Sequence, residues 1–478
     1  MHPLAQLDHD YVWHPFTQMK DWLKSEPIVL IRGKKTRLWD TDNRAYLDAN
    51  SSIWTNLHGH NHPAINRAIR RQLSRVSHTS ALGFANEPAS QLAEKLVSLS
   101  KIGNESVEKN IHLLTKVFFS DNGSTAMEVA LKLAYEFTRR TLGPTASPHF
   151  LSVSGAYHGD TIGAVSLGHI DLFHSAYRGL LFPTEAAMAP YCYRCPHNRA
   201  EPERADARSY RNCQWECTQS VVKAFDEGRQ KKRPISAFVY EPCMQGSAGM
   251  IAQPVGWLKR VAEVAQENKA LLIADEVLTG FGRAGLMDDG ASVLLASHKE
   301  GVQPDLVALA KGLTGGYLPL AATLTTQAIF DAFLGEYSDF KTFFHGHSYT
   351  ANQLGAASAL ASLDILATSH GPEVRRRLES DLRTALLSLW DRPQVGDIRQ
   401  VGAMVGIELV KDWRHRTPYD LSEKAGIRVT QAMARRGVLT RPIGNVVVLI
   451  PPFCTTRREV YRMVAALSEA IEEVLDGG

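Results

Sequence analysis

Between residues 116 and 326 short apolar runs alternate with longer amphipathic stretches, and this rhythm leaves few folds open to the chain. KVFFS (116–120), HFLSVS (149–154), SAFVYEP (236–242), ALLIADEV (270–277), DLVALA (305–310) and LAATLTT (320–326) read as buried strands. Most of the intervals between them have room for a crossover helix. Strands spaced in this way pair mainly in parallel, with helices on both faces of the sheet. The expected fold class is therefore α/β, with a large domain built on a mainly parallel sheet. The ends differ. Residues 28–48 predict a hairpin of short strands, and 401–410 and 437–452 predict further strands around a helix near 421–436. A last amphipathic helix is expected from about Arg457. These ends suggest a smaller α+β domain drawn from both termini: residues 1–75 as its N-terminal segment, 76–365 as the large domain and 366–478 as its C-terminal part.

Composition narrows the function classes. At 478 residues the chain can bury a large core, and Lys+Arg 53 against Asp+Glu 50 give a formal charge of +3. That near balance offers nothing to attract nucleic acid or an anionic membrane surface. No apolar stretch reaches membrane-spanning length, and MHPLAQLDHD lacks the basic and apolar regions of a signal peptide, so a cytoplasmic location is expected. Of six cysteines, four cluster as Cys192, Cys195, Cys213 and Cys217, a C-x2-C and C-x3-C pattern near structural zinc spacing. Reduced thiols on a polar inserted loop are the favoured reading of that pattern, and no metal is assigned.

The chemistry centres on Lys311 in PDLVALAKGLTGGYLPLAA. It follows an apolar run and precedes Gly312, Gly315 and Gly316, so its amine should leave a buried strand and enter a cleft. Burial lowers a lysine's basicity and makes it a nucleophile able to form a Schiff base, although an isolated lysine at a strand exit more often snorkels to water. Asp275 changes that balance. It ends the LLIA run, and in open α/β sheets a strand's C-terminal end points into the ligand crevice. A lysine and a carboxylate facing a pyridinium nitrogen are the two fixed needs of a pyridoxal phosphate (PLP) site.

Other segments suit the same chemistry less specifically. In SDNGSTAMEV, Thr125 and Glu128 have capping-box spacing, so a helix should begin near Ser124, with Gly123 and Ser124 offering a phosphate cup. Tyr157 and His158 follow a strand, where an aromatic ring can stack on a planar cofactor. GFGRAG (280–285) satisfies the dinucleotide pattern, which keeps an NAD-dependent dehydrogenase as an alternative. No clean helix follows it, however, so a turn that sets Arg283 beside the cleft is the better reading. The alternating histidines His58, His60 and His62, and His345 and His347, lie among turn residues rather than in a metal-binding frame. Arg441, ahead of Pro442, suits capture of a substrate carboxylate.

Taken together, YVWHPFTQM, SSIWTNLHGHNHP, SDNGSTAMEVALK, YHGDTIGAVSLG, ADEVLTGFGRAG, ALAKGLTGGYLPL, FFHGHSYTANQ and LTRPIGN resemble the class III, fold type I PLP aminotransferases along nearly the whole chain. More narrowly they resemble the 7,8-diaminononanoate synthases of biotin biosynthesis, which aminate 8-amino-7-oxononanoate. The resemblance implies that Lys311 links to PLP, Asp275 faces its ring nitrogen, and Tyr157 stacks on the ring beside His158. Gly123 and Ser124 would bind the phosphate, completed by His347 and Ser348 of a neighbouring subunit, hence a homodimer. Trp54, Phe16, Tyr157, Arg283, Gly346 and Arg441 would shape the substrate pocket. Many members that use S-adenosylmethionine carry tyrosine in place of Phe16 and Gly-Pro-Thr in place of Gly346, His347 and Ser348. The forms found here resemble the branch that takes its amino group from lysine. Other class III enzymes, acting on diamines or ω-amino acids, share the cofactor residues and remain an alternative.

Overall fold

Seven strands form the central sheet, in the order Leu114–Ser120, Ala321–Thr326, Leu306–Leu309, Leu271–Asp275, Ile235–Tyr240, His149–Val153 and Glu185–Ala187. The computed structural model describes residues 1–101, 113–143, 145–287, 294–368 and 370–475. Ala321–Thr326 runs antiparallel to both of its neighbours, whereas the other pairings are parallel. The expected α/β architecture is therefore present, with one edge strand, Glu185–Ala187, too short and too polar to stand out in the sequence.

Successive residues of a strand face opposite sides of a sheet, and here the two sides have separate cores. Leu272 and Ala274 pack with Val221, Phe225, Trp257 and Val261, from the helices Glu216–Gln230 and Trp257–Glu267. Ile273 packs on the other side with Ala126, Met127 and Ala130 of the helix Gly123–Leu142. Fully burying both faces requires the continuous apolar runs seen in the sequence. It also leaves the strand ends as the place where polar side chains can gather.

The termini meet. Leu30–Lys34, Arg37–Asp40 and Ala45–Asp48 form a three-stranded meander, joined in parallel by Val438–Leu439. This corrects the hairpin expected over 28–48. The Asp40 carboxylate accepts from the amides of Asp42 and Arg44, making a second tight turn within that span. The expected strand pair around Gly444 and Asn445 is Pro442–Ile443 with Val446–Leu449, and it extends a sheet containing Val395–Val401 and Met404–Asp412. The helices Ala425–Arg435 and Arg457–Leu475 complete this part. Among the described residues no helix is long and apolar enough to cross a membrane.

Candidate active site

The C-terminal ends of the parallel strands open onto a cavity of about 720 Å³. Each strand delivers its polar residue just past its last ladder bond. Leu114–Ser120 leads to Gly123 and Ser124, His149–Val153 to Tyr157 and His158, Ile235–Tyr240 to Glu241, and Leu306–Leu309 to Lys311. Asp275 is itself the last residue of its strand. All of these line the one cavity, as does Trp54.

Lys311 adopts φ 44° at the start of a tight turn that ends on Gly315 at φ 66°, so the chain reverses directly under its side chain. The amine lies 4.6 Å from the centre of the Trp54 ring. Burial lowers its pKa, opposed by the charges of Asp275 and Glu241 and reinforced by Arg283. A neutral amine is the nucleophilic form.

Asp275 is held by two donors: His158 Nδ1 at 2.8 Å from Oδ2, and the Val277 amide at 3.0 Å from Oδ1. The next residue, Glu276, points the other way and accepts from Ala296 N, Ser297 N, Ser297 Oγ and Thr279 Oγ1 at 2.8–2.9 Å. Strand alternation thus divides two adjacent acids between a cavity role and a structural one. His158 is buried. Burial depresses its imidazole, but the hydrogen bond and charge of Asp275 outweigh this and raise its pKa. Among the described residues its Nε2 has no hydrogen-bond partner.

The helix Gly123–Leu142 points its N-terminus at the cavity. Its capping box is formed by Asn122 and Thr125, which corrects the expected Thr125–Glu128 pair and moves the first helical residue to Gly123. Glu128 instead accepts from the Ala164 amide at 3.1 Å. Ser124 Oγ lies 2.7 Å from Thr161 Oγ1 and accepts from the Thr161 amide at 3.0 Å, so Thr161 belongs to this corner although the sequence did not single it out. A Cβ on Gly159, at φ +119°, would fall 2.4 Å from the Ser124 side chain, and one on Gly123 would fall 2.8 Å from Val277. These glycines leave a backbone cradle at a helix N-terminus, the arrangement that suits a phosphate. With the Lys311 amine and the Asp275 carboxylate on the same cavity, the residues present fit PLP.

Trp54 arrives by an unusual route. Ser51, Ser52, Ile53 and Trp54 all have φ between 47° and 69°, a left-handed turn that side chains disfavour, above all a β-branched one. Surrounding bonds impose it: Ser51 Oγ donates to Ile450 O at 2.6 Å and Trp54 Nε1 to Asn50 Oδ1 at 2.8 Å. Tyr157 donates its hydroxyl to Asp160 Oδ2 at 2.6 Å. Its ring meets Phe16 edge-on at 6.4 Å, and Phe16 in turn meets Phe173 at 5.2 Å. Arg441 Nη2 donates to the Phe16 carbonyl at 2.7 Å, so this arginine and the N-terminal segment stand together beside Tyr157.

Of the residues named from the sequence, Phe16, Arg283, Gly346, His347, Ser348 and Arg441 lie off the cavity wall. Arg283 is a correction: it is 1% exposed, and its guanidinium donates to Pro451 O at 2.8 Å and Asn56 O at 3.1 Å and lies over the Phe453 ring. It ties segments together behind the cleft instead of facing a substrate. The GFGRAG run is a turn, with Gly282 and Gly285 at φ +78° and +90°, and no helix opens from it among the described residues; part of the stretch after it, 288–293, lies outside them. His347 faces Asp121 of its own chain, Nδ1 to Oδ2 3.3 Å, and Gly346 has open space around it. The Ser348 carbonyl accepts from His78 Nε2 at 2.8 Å. The histidines near the start have local partners, His58 with Ser362, His60 with Asp48 and His62 as a helix cap.

Glu241 directly follows the strand Ile235–Tyr240 and is a further acid of the cavity. Its carboxylate accepts from Gly246 N at 2.8 Å and Tyr157 N at 3.4 Å. Burial raises its pKa to about 7, with the His158 charge opposing and the Asp275 charge adding. Because the folded value lies above the ordinary 4.5, the stability linked to this proton is full below the unfolded value and is lost as pH rises through about 7. Glu241→Gln in the cofactor-free protein should therefore gain stability over the parent as pH rises across that window, by at most about 3 kcal/mol. Urea unfolding at a series of pH values measures it, and a pH-independent difference would show that Glu241 titrates normally.

The whole chain has relatives. A family model described as Aminotransferase class-III matches residues 19–471. The adenosylmethionine-8-amino-7-oxononanoate aminotransferase of Nitratidesulfovibrio vulgaris is 47% identical over 99% of this chain and 82% of its own length. The protein of that name from Geobacter sulfurreducens is 44% identical, over 99% of this chain and 98% of its own. Among solved structures, the Methanocaldococcus jannaschii enzyme of the same name superposes with a TM-score of 0.87 at 38% identity, covering 99% of both chains. An (S)-enantioselective omega-transaminase from Thermomicrobium roseum superposes with 0.86 at 29% identity, covering 99% of this chain and 98% of that one. Match, relatives and superpositions run end to end, and the chain belongs to the class-III aminotransferase family.

Proposed function

We propose that this chain is a PLP-dependent aminotransferase that transfers an amino group to 8-amino-7-oxononanoate, giving 7,8-diaminononanoate in biotin biosynthesis. The observation that carries this reading is the full-length identity of 41–47% to five enzymes named for that keto acid. The cavity geometry agrees with it. Gly123, Ser124 and the helix N-terminus would hold the cofactor phosphate, Asp275 would keep a proton on the ring nitrogen, and Tyr157 would cover the ring beside His158. PLP, when bound, supplies an electron sink for the carbon that loses its proton. The Lys311 amine would link to the cofactor at rest and would otherwise serve as the group that takes up and returns a substrate proton. Trp54 lines the substrate space, and Phe16 stands beside Tyr157 at its approach.

Arg441 captures the carboxylate of the keto acid, pairing two charged groups at the cavity mouth. Arg441→Ala should raise KM for the keto acid by an amount worth about 1.5–3 kcal/mol, the scale of a hydrogen bond to a charged group, with kcat much less affected. An unchanged KM would place the carboxylate elsewhere.

The donor read from the relatives' names is S-adenosylmethionine. Phe16 and the His347–Ser348 pair favour lysine as the second donor to test. The decisive assay follows diaminononanoate formation from the keto acid with each donor in turn. Formation with either supports the reading. Failure with both, together with turnover of simple amines, would favour the omega-transaminase activity of the structural neighbour.

The enzyme works in the cytoplasm as a homodimer. Leu82 and Phe84 are 86% and 72% exposed, and Phe344 and Tyr349 are 70% and 60% exposed. His78–Ser348 and Asn86–Ala351 hydrogen bonds hold these two segments side by side. An apolar patch of this kind marks a protein interface, and it brings His347 and Ser348 toward the partner's cofactor phosphate. Light scattering should give twice the chain mass, whereas a monomer of full activity would remove the partner from the site.

A further inference from the structure

Residues 188–215 join the edge strand Glu185–Ala187 to the helix Glu216–Gln230 with only a short turn at Cys192–Arg194 and one helical turn at Ala207–Tyr210. A connection this long with so little regular structure is uncommon in a compact domain. Its own apolar cluster is thin, with Cys192, Tyr193 and Ala207 as the buried members. A segment built this way needs a staple other than hydrophobic burial.

Four of the six cysteines stand there. Cys192, Cys195, Cys213 and Cys217 all line one small space of about 10 Å³, roughly that of one water-sized sphere. No carboxylate lines it, and its other polar side chains include Asn198 and Arg211. The backbone around it is firmly tied. Asn198 donates its amide to Cys195 O at 3.2 Å and Nδ2 to Cys192 O at 3.0 Å. Arg199 N donates to Asn212 O at 2.9 Å, and Asn212 N to Asn198 Oδ1 at 2.9 Å, so the stretches bearing the two cysteine pairs are held together. Arg211 Nη1 donates to Cys213 Sγ at 3.3 Å, the kind of donor that supports a metal-bound thiolate. All four thiols are unbridged. Among the described residues no three metal-binding side chains are already drawn to coordination distance, so an ion would draw these sulfurs inward around the void.

We propose that Cys192, Cys195, Cys213 and Cys217 form a structural zinc site of the four-thiolate class that staples residues 192–217. The C-x2-C and C-x3-C spacings supply two ligands from each side, and four sulfurs close a tetrahedral shell with no position left for a substrate. Zinc displaces the thiol protons, which pass to solvent, and nothing is oxidised. The stapled segment bridges the two sheets. Arg194 Nε donates to Glu408 Oε1 at 2.7 Å, and the Arg204 guanidinium donates to the carbonyls of Trp390, Arg392 and Val395 at 2.5–2.6 Å. The staple therefore holds the C-terminal sheet against the edge of the central one.

The test uses untagged full-length protein, purified with its cofactor from zinc-replete cells without chelator. Elemental analysis should find one zinc per chain, released as a mercurial reagent titrates four thiols. The double variant Cys213→Ser, Cys217→Ser should lose the zinc and unfold at lower temperature, while Cys454→Ser keeps the metal. If the double variant does not fold, the metal content of the parent protein still decides. Zinc-free parent protein with six titratable thiols would overturn the proposal. So would an intact mass lowered by disulfide formation, or equal zinc loss in Cys454→Ser.

Discussion

Lys311→Ala is expected to lower turnover by about 10⁴-fold or more, the upper range for a positioned acid–base group, and to leave the fold intact. The loss has two sources. The amine is the cavity's nucleophile, and burial keeps its pKa below that of an ordinary lysine. On the function proposed above, it would also be the group that takes up and returns a substrate proton. The fold should survive because the side chain ends in the cavity, with its amine over the Trp54 ring. Borohydride reduction followed by peptide mass mapping should place the cofactor mass on the Lys311 peptide of the parent and on no peptide of the variant. Turnover of the variant within tenfold of the parent would remove Lys311 from the chemistry.

Asp275→Asn is expected to cost about 10²–10³ in kcat with much smaller changes in KM, on the scale of losing one preorganised electrostatic partner. The amide is nearly the same size, and its oxygen can still accept from the Val277 amide while its NH2 faces a neutral His158 Nδ1, so the geometry persists while the negative charge is lost. On the function proposed above, that charge would hold a proton on the ring nitrogen, and its loss would weaken the electron sink. The hydrogen bond and charge of Asp275 also raise the His158 pKa. The variant should therefore lose the protonated form of His158 at a lower pH, visible in its imidazole NMR titration. A parent-like kcat would exclude the role given to Asp275, and an unmoved imidazole titration would exclude the pairing.

Local patterns made much of this molecule legible. The six apolar runs were visible because a strand buried on both faces must be apolar at every position, and each became a strand of the central sheet. Lys311 and Asp275 were visible because a polar residue ending such a run can only lie at the sheet's edge. Relationships between distant segments were not visible. Phe16 and Arg441 meet across 425 positions, and nothing in either short sequence encodes that contact. Arg283 looked like a cleft residue because its glycine-rich turn follows the Asp275 strand, yet the carbonyls of Asn56 and Pro451 draw it into the interior. Thr161 escaped notice because its partner Ser124 lies on another element. The left-handed turn at Ser51–Trp54 runs against local preference and holds only because Asn50 and Ile450 anchor it.

By itself the sequence determined the α/β class, the strands and the lysine and aspartate at their ends, because these depend on hydrophobic periodicity over a few residues. The tertiary structure decided which polar groups share the cavity, which of the neighbouring acids Asp275 and Glu276 faces it, and which arginine is drawn into the interior. Those outcomes depend on the pleat, on the twist of the sheet and on where the two termini close over it, and such distances arise only once the chain has packed.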